Sequence, residues 1–220
     1  MEADCGQKLV TRTISSQADA TVIAGCSTFT GSLVIATNLP ASDATINFGG
    51  LQEIDGSLSA RSVANLQNLN ASQLLRINGD FSMTSLPNLN VLAFPQLLQT
   101  AYFTLNDLPA VPHLDFSADA LDGSSGLSAD TVIFFDNQFA TLPINLRNVT
   151  ALHMRNNTLL SSISLPLEIV RQKININHIG TLDLRLLTSV DNMTLASLEK
   201  IDLTNLESVR DLSVTGAALT

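Results

Sequence analysis

The sequence holds no tryptophan and a single tyrosine, Tyr102, which leaves a poor supply of the aromatic platforms that commonly hold sugar faces. Charge is scarce as well. Charged residues make up 14% of the chain, and 11 lysines and arginines stand against 20 acids for a formal net charge of −9. That balance repels a phosphate backbone, so nucleic acid is excluded as a partner, and an anionic membrane surface is disfavoured for the same reason. No apolar run approaches the roughly 20 residues that a spanning helix needs. Met1-Glu2-Ala3-Asp4-Cys5 lacks the basic and apolar regions of a signal peptide, and Leu219-Thr220 closes without a hydrophobic tail, so neither end is expected to carry a targeting segment. There are only two cysteines, Cys5 and Cys26. They either pair, closing a loop of about 20 residues and stabilising the fold by roughly 3 kcal/mol, or lie buried as free thiols.

What the sequence has in quantity is hydrophobic side chains, 45% of 220 residues, ample for a packed core. It also has four N-glycosylation sequons, beginning at Asn70, Asn148, Asn156 and Asn192. With the cysteine placement they favour a secreted chain that carries glycans on at least two of them.

A repeat runs through the chain. Leu187-Thr188-Ser189-Val190 precedes Met193-Thr194-Leu195, and Leu206-Glu207-Ser208-Val209 precedes Leu212-Ser213-Val214, every equivalent position displaced by 19. Leu51-x-x-Ile54-x-Gly56-x-Leu58 is echoed by Leu74-x-x-Ile77-x-Gly79-x-Phe81 at a displacement of 23. One apolar-x-apolar triplet recurs per turn, starting at Leu33, Leu58, Phe81, Phe103, Val132, Leu152, Ile174, Met193 and Leu212, with starts 19 to 29 residues apart. Alternate side chains of a strand point to opposite faces, so the outer two residues of each triplet enter a core and the middle one faces solvent. One short strand cannot bury such a face alone, whereas turns stacked in register align the triplets into a parallel sheet. The pattern therefore predicts a mainly β protein, a right-handed parallel β-solenoid. Leu152-His153-Met154-Arg155-Asn156-Asn157-Thr158-Leu159 comes close to the leucine-rich repeat phrase L-x-L-x-x-N-x-L, which makes Asn157 the candidate for an inward asparagine that bonds backbone at the bend after the strand. Most other turns lack it and their lengths vary, so the array is irregular.

The ends differ from the middle. Ser16-Gln17-Ala18-Asp19 followed by Ala20-Thr21-Val22-Ile23 reads as a short N-capped helix that Gly25 stops before Cys26. A Cys5–Cys26 disulfide is expected to pin this lid over the first turn. Residues 1–28 are thus read as a stapled N-terminal cap and 29–220 as one continuous solenoid, with no equivalent lid expected after Val214. Ser117 to Ala129, containing Gly123-Ser124-Ser125-Gly126, reads as a surface loop inserted in one turn.

Cys5 to Cys26, then Gly31-Ser32-Leu33-Val34-Ile35, Ile54-Asp55-Gly56-Ser57-Leu58 and Leu74 through Phe81 resemble the receptor L-domain, the leucine-rich-repeat-like β-helix of insulin-receptor-type ectodomains. More closely, the run from Leu74 through Leu86-Pro87-Asn88-Leu89, Leu108-Pro109-Ala110-Val111 and Arg155-Asn156-Asn157-Thr158-Leu159 is similar to the fungal extracellular-mutant and sporulation-specific family of cell-wall glycoproteins. The likeness spans nearly the whole chain, on hydrophobic spacings rather than a chemical signature. It implies a glycosylphosphatidylinositol-anchored protein of the plasma membrane and wall that is needed for wall integrity, with no catalytic residue to carry over. The Ser/Thr-rich stalk, the anchor signal and the C-terminal cysteines of that family are absent, so the anchor is implied for a longer parent.

Parallel β-helices also include polysaccharide lyases and hydrolases, whose sites need acids or bases converging on one stacked face. The outward ladder predicted here is Val34, Ser59, Ser82, Thr104, Ile133, His153, Asn175, Thr194 and Ser213, without an acid. Asp136 and Asp183 stand isolated in the repeat frame, as solvated or capping residues do. No enzyme is expected, and no cofactor. His113, His153 and His178 lack partners at metal-ligand spacing, so no metal site is expected either. The expected role is a scaffold or interaction surface at the cell surface, with a wall or surface protein or glycan as partner. Lectin-like binding of wall polysaccharide is the alternative, and a polysaccharide-active enzyme a more distant one. Phe135 follows its triplet and should point outward beside Ile133. Tyr102, Ile133, Phe135, His153 and Arg155, with the 117–129 loop, form the candidate interaction patch.

Overall fold

The computed structural model describes residues 5–109, 111–116, 126–216 and 218–219. Met1 to Asp4, most of the expected 117–129 loop and the last residue lie outside the described residues, as does the side chain of His178. In chain order the first elements are β1 (Gly6–Ile14), α1 (Gln17–Ala24), β2 (Thr28–Ile35), β3 (Thr45–Asn47), β4 (Glu53–Ile54), β5 (Leu58–Arg61) and β6 (Asn68–Asn70). They are followed by β7 (Arg76–Ile77), β8 (Phe81–Thr84), β9 (Val91–Ala93), β10 (Gln99–Asn106), β11 (His113–Asp115) and β12 (Leu127–Phe135). The remainder are β13 (Leu146–Arg155), β14 (Ser162–Ser164), β15 (Ile169–Asp183), β16 (Ser189–Asp202), β17 (Ser208–Thr215) and β18 (Ala218–Leu219).

The nine triplets stack as one parallel sheet. Leu33 pairs with Leu58, Leu58 with Phe81, Phe81 with Phe103 and Phe103 with Val132. Val132 pairs with Leu152, Leu152 with Ile174, Ile174 with Met193 and Met193 with Leu212. The outer residues of each triplet are buried from Leu33 to Leu195, because every turn is covered on both sides by its neighbours. Leu212 departs from the expected inward burial. It is 47% exposed, since β17 ends the strand order and no described strand pairs beyond it. A rung also precedes the first triplet, with Arg12, Thr13 and Ile14 of β1 paired to Leu33, Val34 and Ile35. A second, four-stranded sheet of β3, β6, β9 and β11 stacks Ile46, Leu69, Leu92 and Leu114 on another side of the same core. One apolar cluster runs from Ile14 to Ile201.

Two further columns hold the turns together. The first is glycine. A Cβ on Gly56 would lie 2.2 Å from the carbonyl oxygen of Gly31, and one on Gly79 would lie 2.8 Å from the backbone of Gly56. Only glycine lets these corners stack at strand spacing, which is why Leu-x-x-Ile-x-Gly recurs. The second sits four residues after six of the nine triplets begin. Ser62, Ser85, Asp107, Asp136, Asn156 and Ser197 all have φ between 52° and 57°, the left-handed region that short polar side chains tolerate best among non-glycine residues. Neighbours in the column bond to each other: Ser85 Oγ donates to Asp107 Oδ2 at 2.8 Å, and Asn156 Nδ2 donates to Asp136 Oδ1 at 2.9 Å. Asp136 is therefore a member of this column and not an isolated solvated residue.

α1 begins at Ser16, whose hydroxyl accepts from the backbone N–H of Asp19 at 3.2 Å. The Asp19 carboxylate in turn accepts from the Ser15 hydroxyl and backbone N–H, bonds that hold its pKa below the usual carboxylate range, the hydroxyl most of all. Gln17 ties the helix to β3 through both the N–H and the carbonyl of Asn47, and Ala20 and Ile23 are buried. Cys5 and Cys26 are joined in a disulfide, 21 residues apart in sequence. Replacing both cysteines by serine is expected to cost about 3 kcal/mol, through the loop released in the unfolded chain. An unchanged urea midpoint for the double variant would contradict this.

Candidate functional site

The patch residues sit on the outward face of the central strands, on β10, β12 and β13. In register, Ile133 lies beside His153 and Phe135 beside Arg155, so these four form a square on β12 and β13. The Arg155 guanidinium carbon lies 4.6 Å from the centroid of the Phe135 ring, and Arg155 Nη2 stands 3.9 Å from Asp136 Oδ2. Eight of the nine phenylalanines are fully buried, while Phe135 is half-exposed. Tyr102 flanks the square. Its partner is Thr131, two residues short of Ile133, so it is a diagonal neighbour of Ile133 at about 8 Å and stands about 14 Å from the Phe135–Arg155 pair. His153 is held below the usual imidazole range, first by burial and then by the positive charge of Lys173, so it is neutral at pH 7. A double-mutant cycle of Phe135→Ser and Arg155→Ser, read by urea denaturation, is expected to give a coupling of about 0.5–1 kcal/mol. No coupling would show that the ring and the cation ignore each other in solution.

The sequons fall in different surroundings. Asn148 and Asn156 are exposed, whereas Asn70 on β6 and Asn192 on β16 are half-buried. Asn156 follows Arg155, so a glycan on it would stand at the rim of the square. Asp183 is no isolated carboxylate either. It binds the Arg185 guanidinium and backbone N–H and accepts from Ser164 Oγ at 2.9 Å, and these bonds, with Arg185 foremost, lower its pKa to about 2. His113 is exposed on β11. Among the described residues, no group of three or more His, Cys, Asp or Glu could hold a metal ion, and no helix is long and apolar enough to cross a membrane.

Two polar features were missed in the sequence. Asn157 is fully buried as expected, its amide donating to the carbonyls of Phe134 at 2.7 Å and Arg155 at 3.3 Å. Below it lies a second inward asparagine, Asn137, which donates to Asn157 Oδ1 at 3.0 Å and to the carbonyl of Leu105 at 2.9 Å. The signal was present, since Val132-x-Phe134-x-x-Asn137-x-Phe139 is the same phrase with Val and Phe in place of Leu.

The other feature is a trench. Gln99, Ser128, Asn148, Ile169, Ser189 and Ser208 occupy one register row across β10, β12, β13, β15, β16 and β17. The pairing register shifts beside this row, between Val149 and Ala151 and between Val170 and Lys173, and a hollow of about 300 Å³ lies there, lined also by Asp130, Thr150 and Arg171. A second hollow of about 210 Å³, lined by Ser189, Asp191, Ser208 and Arg210, continues it and shares Ile169 and Arg171. At the usual strand spacing, the five steps from Gln99 to Ser208 make the trench about 24 Å long. A third hollow, of about 500 Å³, lies between Ser62, Ser85, Asp107 and Pro109 at the left-handed column.

No family model matches the chain, and no solved structure matches it. Among curated proteins, protein ecm33 of Aspergillus fumigatus is 30% identical over 169 residues, which are 69% of this chain and 42% of that protein. The chain belongs to the extracellular-mutant family. It spans less than half the length of the ecm33 relative it matches.

Proposed function

We propose that the chain is the solenoid portion of a secreted, non-enzymatic glycoprotein of the fungal cell surface, serving the organisation and integrity of the wall as a scaffold or interaction surface. The observation that carries this reading is the kinship with protein ecm33. The disulfide supports it, because such bonds persist in oxidising compartments outside the cytosol, and so does the exposed sequon at Asn156. Its geometry is read as a right-handed, receptor L-domain-like solenoid over residues 29–220 with a cap over 1–28, since parallel crossovers in one sheet are right-handed in nearly all cases. Attachment to the membrane would come through a glycosylphosphatidylinositol anchor on a longer parent.

The acids of the trench favour binding over hydrolysis. Asp130 on β12 and Asp191 on β16 are three strands apart, about 14 Å, beyond the roughly 5–10 Å that glycoside hydrolysis uses. The test is to tag the full-length parent in its fungus and fractionate wall, membrane, medium and cytosol. Recovery in the wall or membrane fractions, with a mass loss on enzymatic deglycosylation, is expected. A cytosolic chain with both thiols free would overturn the reading.

A further inference from the structure

We propose that the trench binds an extended, uncharged polysaccharide chain lying across the strands, an inference that deepens the wall reading and rests on it for the source of the polymer. The lining carries the argument. Gln99, Ser128, Asn148, Thr150, Ser189 and Ser208 present hydroxyls and amides, which both donate and accept, as sugar hydroxyls do. Five of the six strands contribute a polar side chain, β13 two of them and β15 none, and neighbouring strands are ~4.8 Å apart, close to the advance of one pyranose ring along an extended glycan. Periodic polar side chains on a rigid sheet thus meet a periodic polar ligand in register, with little ordering cost on the protein side.

The charges fit a neutral polymer. Asp130 and Asp191 stand against Arg171 and Arg210, and Arg210 lies 3.4 Å from Asp191, so the trench has no net charge with which to hold a polyanion. One exposed apolar side chain lines it and another flanks it. Ile169, 49% exposed, interrupts the polar row at its middle, and Tyr102, 48% exposed, directly follows Ala101 of the lining. Both give a surface for the C–H face of a sugar ring, and this is the role the sequence leaves for the chain's single tyrosine. A peptide fits less well. Every strand of the trench except β17 is paired on both sides, so strand addition is open only at its last strand and not along its length.

Asn148 lies in the trench, its side chain 3.5 Å from Ser128 Oγ, and an N-glycan on it would fill the site. The proposal therefore requires Asn148 to be bare in the native protein, which mass spectrometry of the fungal product reads directly.

The experiment is calorimetric titration of the fungal product with neutral oligosaccharides of graded length from β-glucan, chitin and mannan, alongside heparin and a neutral extended peptide. One neutral series should bind, with affinity rising with length to about six sugar units, one per strand, and then levelling off. Tyr102→Ser combined with Ile169→Ser should weaken it about tenfold, whereas Phe135→Ser should leave it unchanged. The proposal fails if no neutral series binds, if heparin or the peptide binds better, if the trench variant binds as wild type, or if only Asn148→Gln binds because Asn148 is occupied. Wall fractionation of the same trench variant separates the two readings. A trench that binds nothing in a protein still found in the wall removes only the trench, and neutral-glycan binding by a protein absent from the wall removes only the wall.

Discussion

Asn157→Ala is expected to destabilise the fold by about 3 kcal/mol or more, read as a drop in the urea midpoint with the slope unchanged. The substitution removes an amide that serves two carbonyls and a carbonyl oxygen that accepts from both the backbone N–H and the side chain of Asn137, at 3.3 and 3.0 Å. Asn157 and Asn137 are buried, so water cannot replace these partners. Each stranded buried group costs about 1–3 kcal/mol. Asn137→Ala strands the carbonyl of Leu105 and the N–H of Leu108 in the same way, and because the two asparagines share a bond, the double variant should lose less than the sum of the singles. Asn157→Asp should be worse than alanine, since it turns a carboxylate toward carbonyl oxygens. Asn157→Ala keeps the sequon at Asn156 intact, so glycosylation does not confuse the comparison. A loss under about 1 kcal/mol would mean that the pair is not the closed network described here.

Phe81→Ala carries the other large effect, about 3–5 kcal/mol. Its ring is fully buried and lies 4.9 Å from Phe94, 5.0 Å from Phe103 and 5.7 Å from Phe116, joining the triplet column to the opposite sheet. Stacked turns cannot collapse sideways into the vacancy without breaking the register of β5, β8 and β10, so most of the cavity term is retained. Each turn contacts mainly its neighbours, and weakening a middle turn should also uncouple the two halves of the array, broadening the transition or splitting it in two. A single sharp transition within about 1 kcal/mol of wild type would show that the aromatic cluster repacks.

The nine triplets were legible because burial on a strand is written every second residue, and Leu33 to Val214 keep that alternation through turns of unequal length. The rung before them was hidden for the converse reason. Arg12 occupies the position that Leu33 takes one turn later, so Arg12-Thr13-Ile14 does not read as apolar-x-apolar. Asn137 escaped because Val and Phe stand where leucine was sought. Phe135 was placed correctly as the one phenylalanine outside the core, while its distance from Tyr102, about 14 Å, is set by strand register.

By itself the sequence determined which side chains turn inward, and with them the sheet and the core, because each triplet carries its own burial signal in three adjacent residues. Which polar residues become neighbours was decided only by the tertiary structure. Gln99, Ser128, Asn148, Ile169, Ser189 and Ser208 share no local pattern, and they line up only after turns of different length have closed and brought their strands into register. Hydrophobic burial is a local alternation that a short stretch of chain can encode, whereas the trench depends on where the pairing register shifts and how the turns stack.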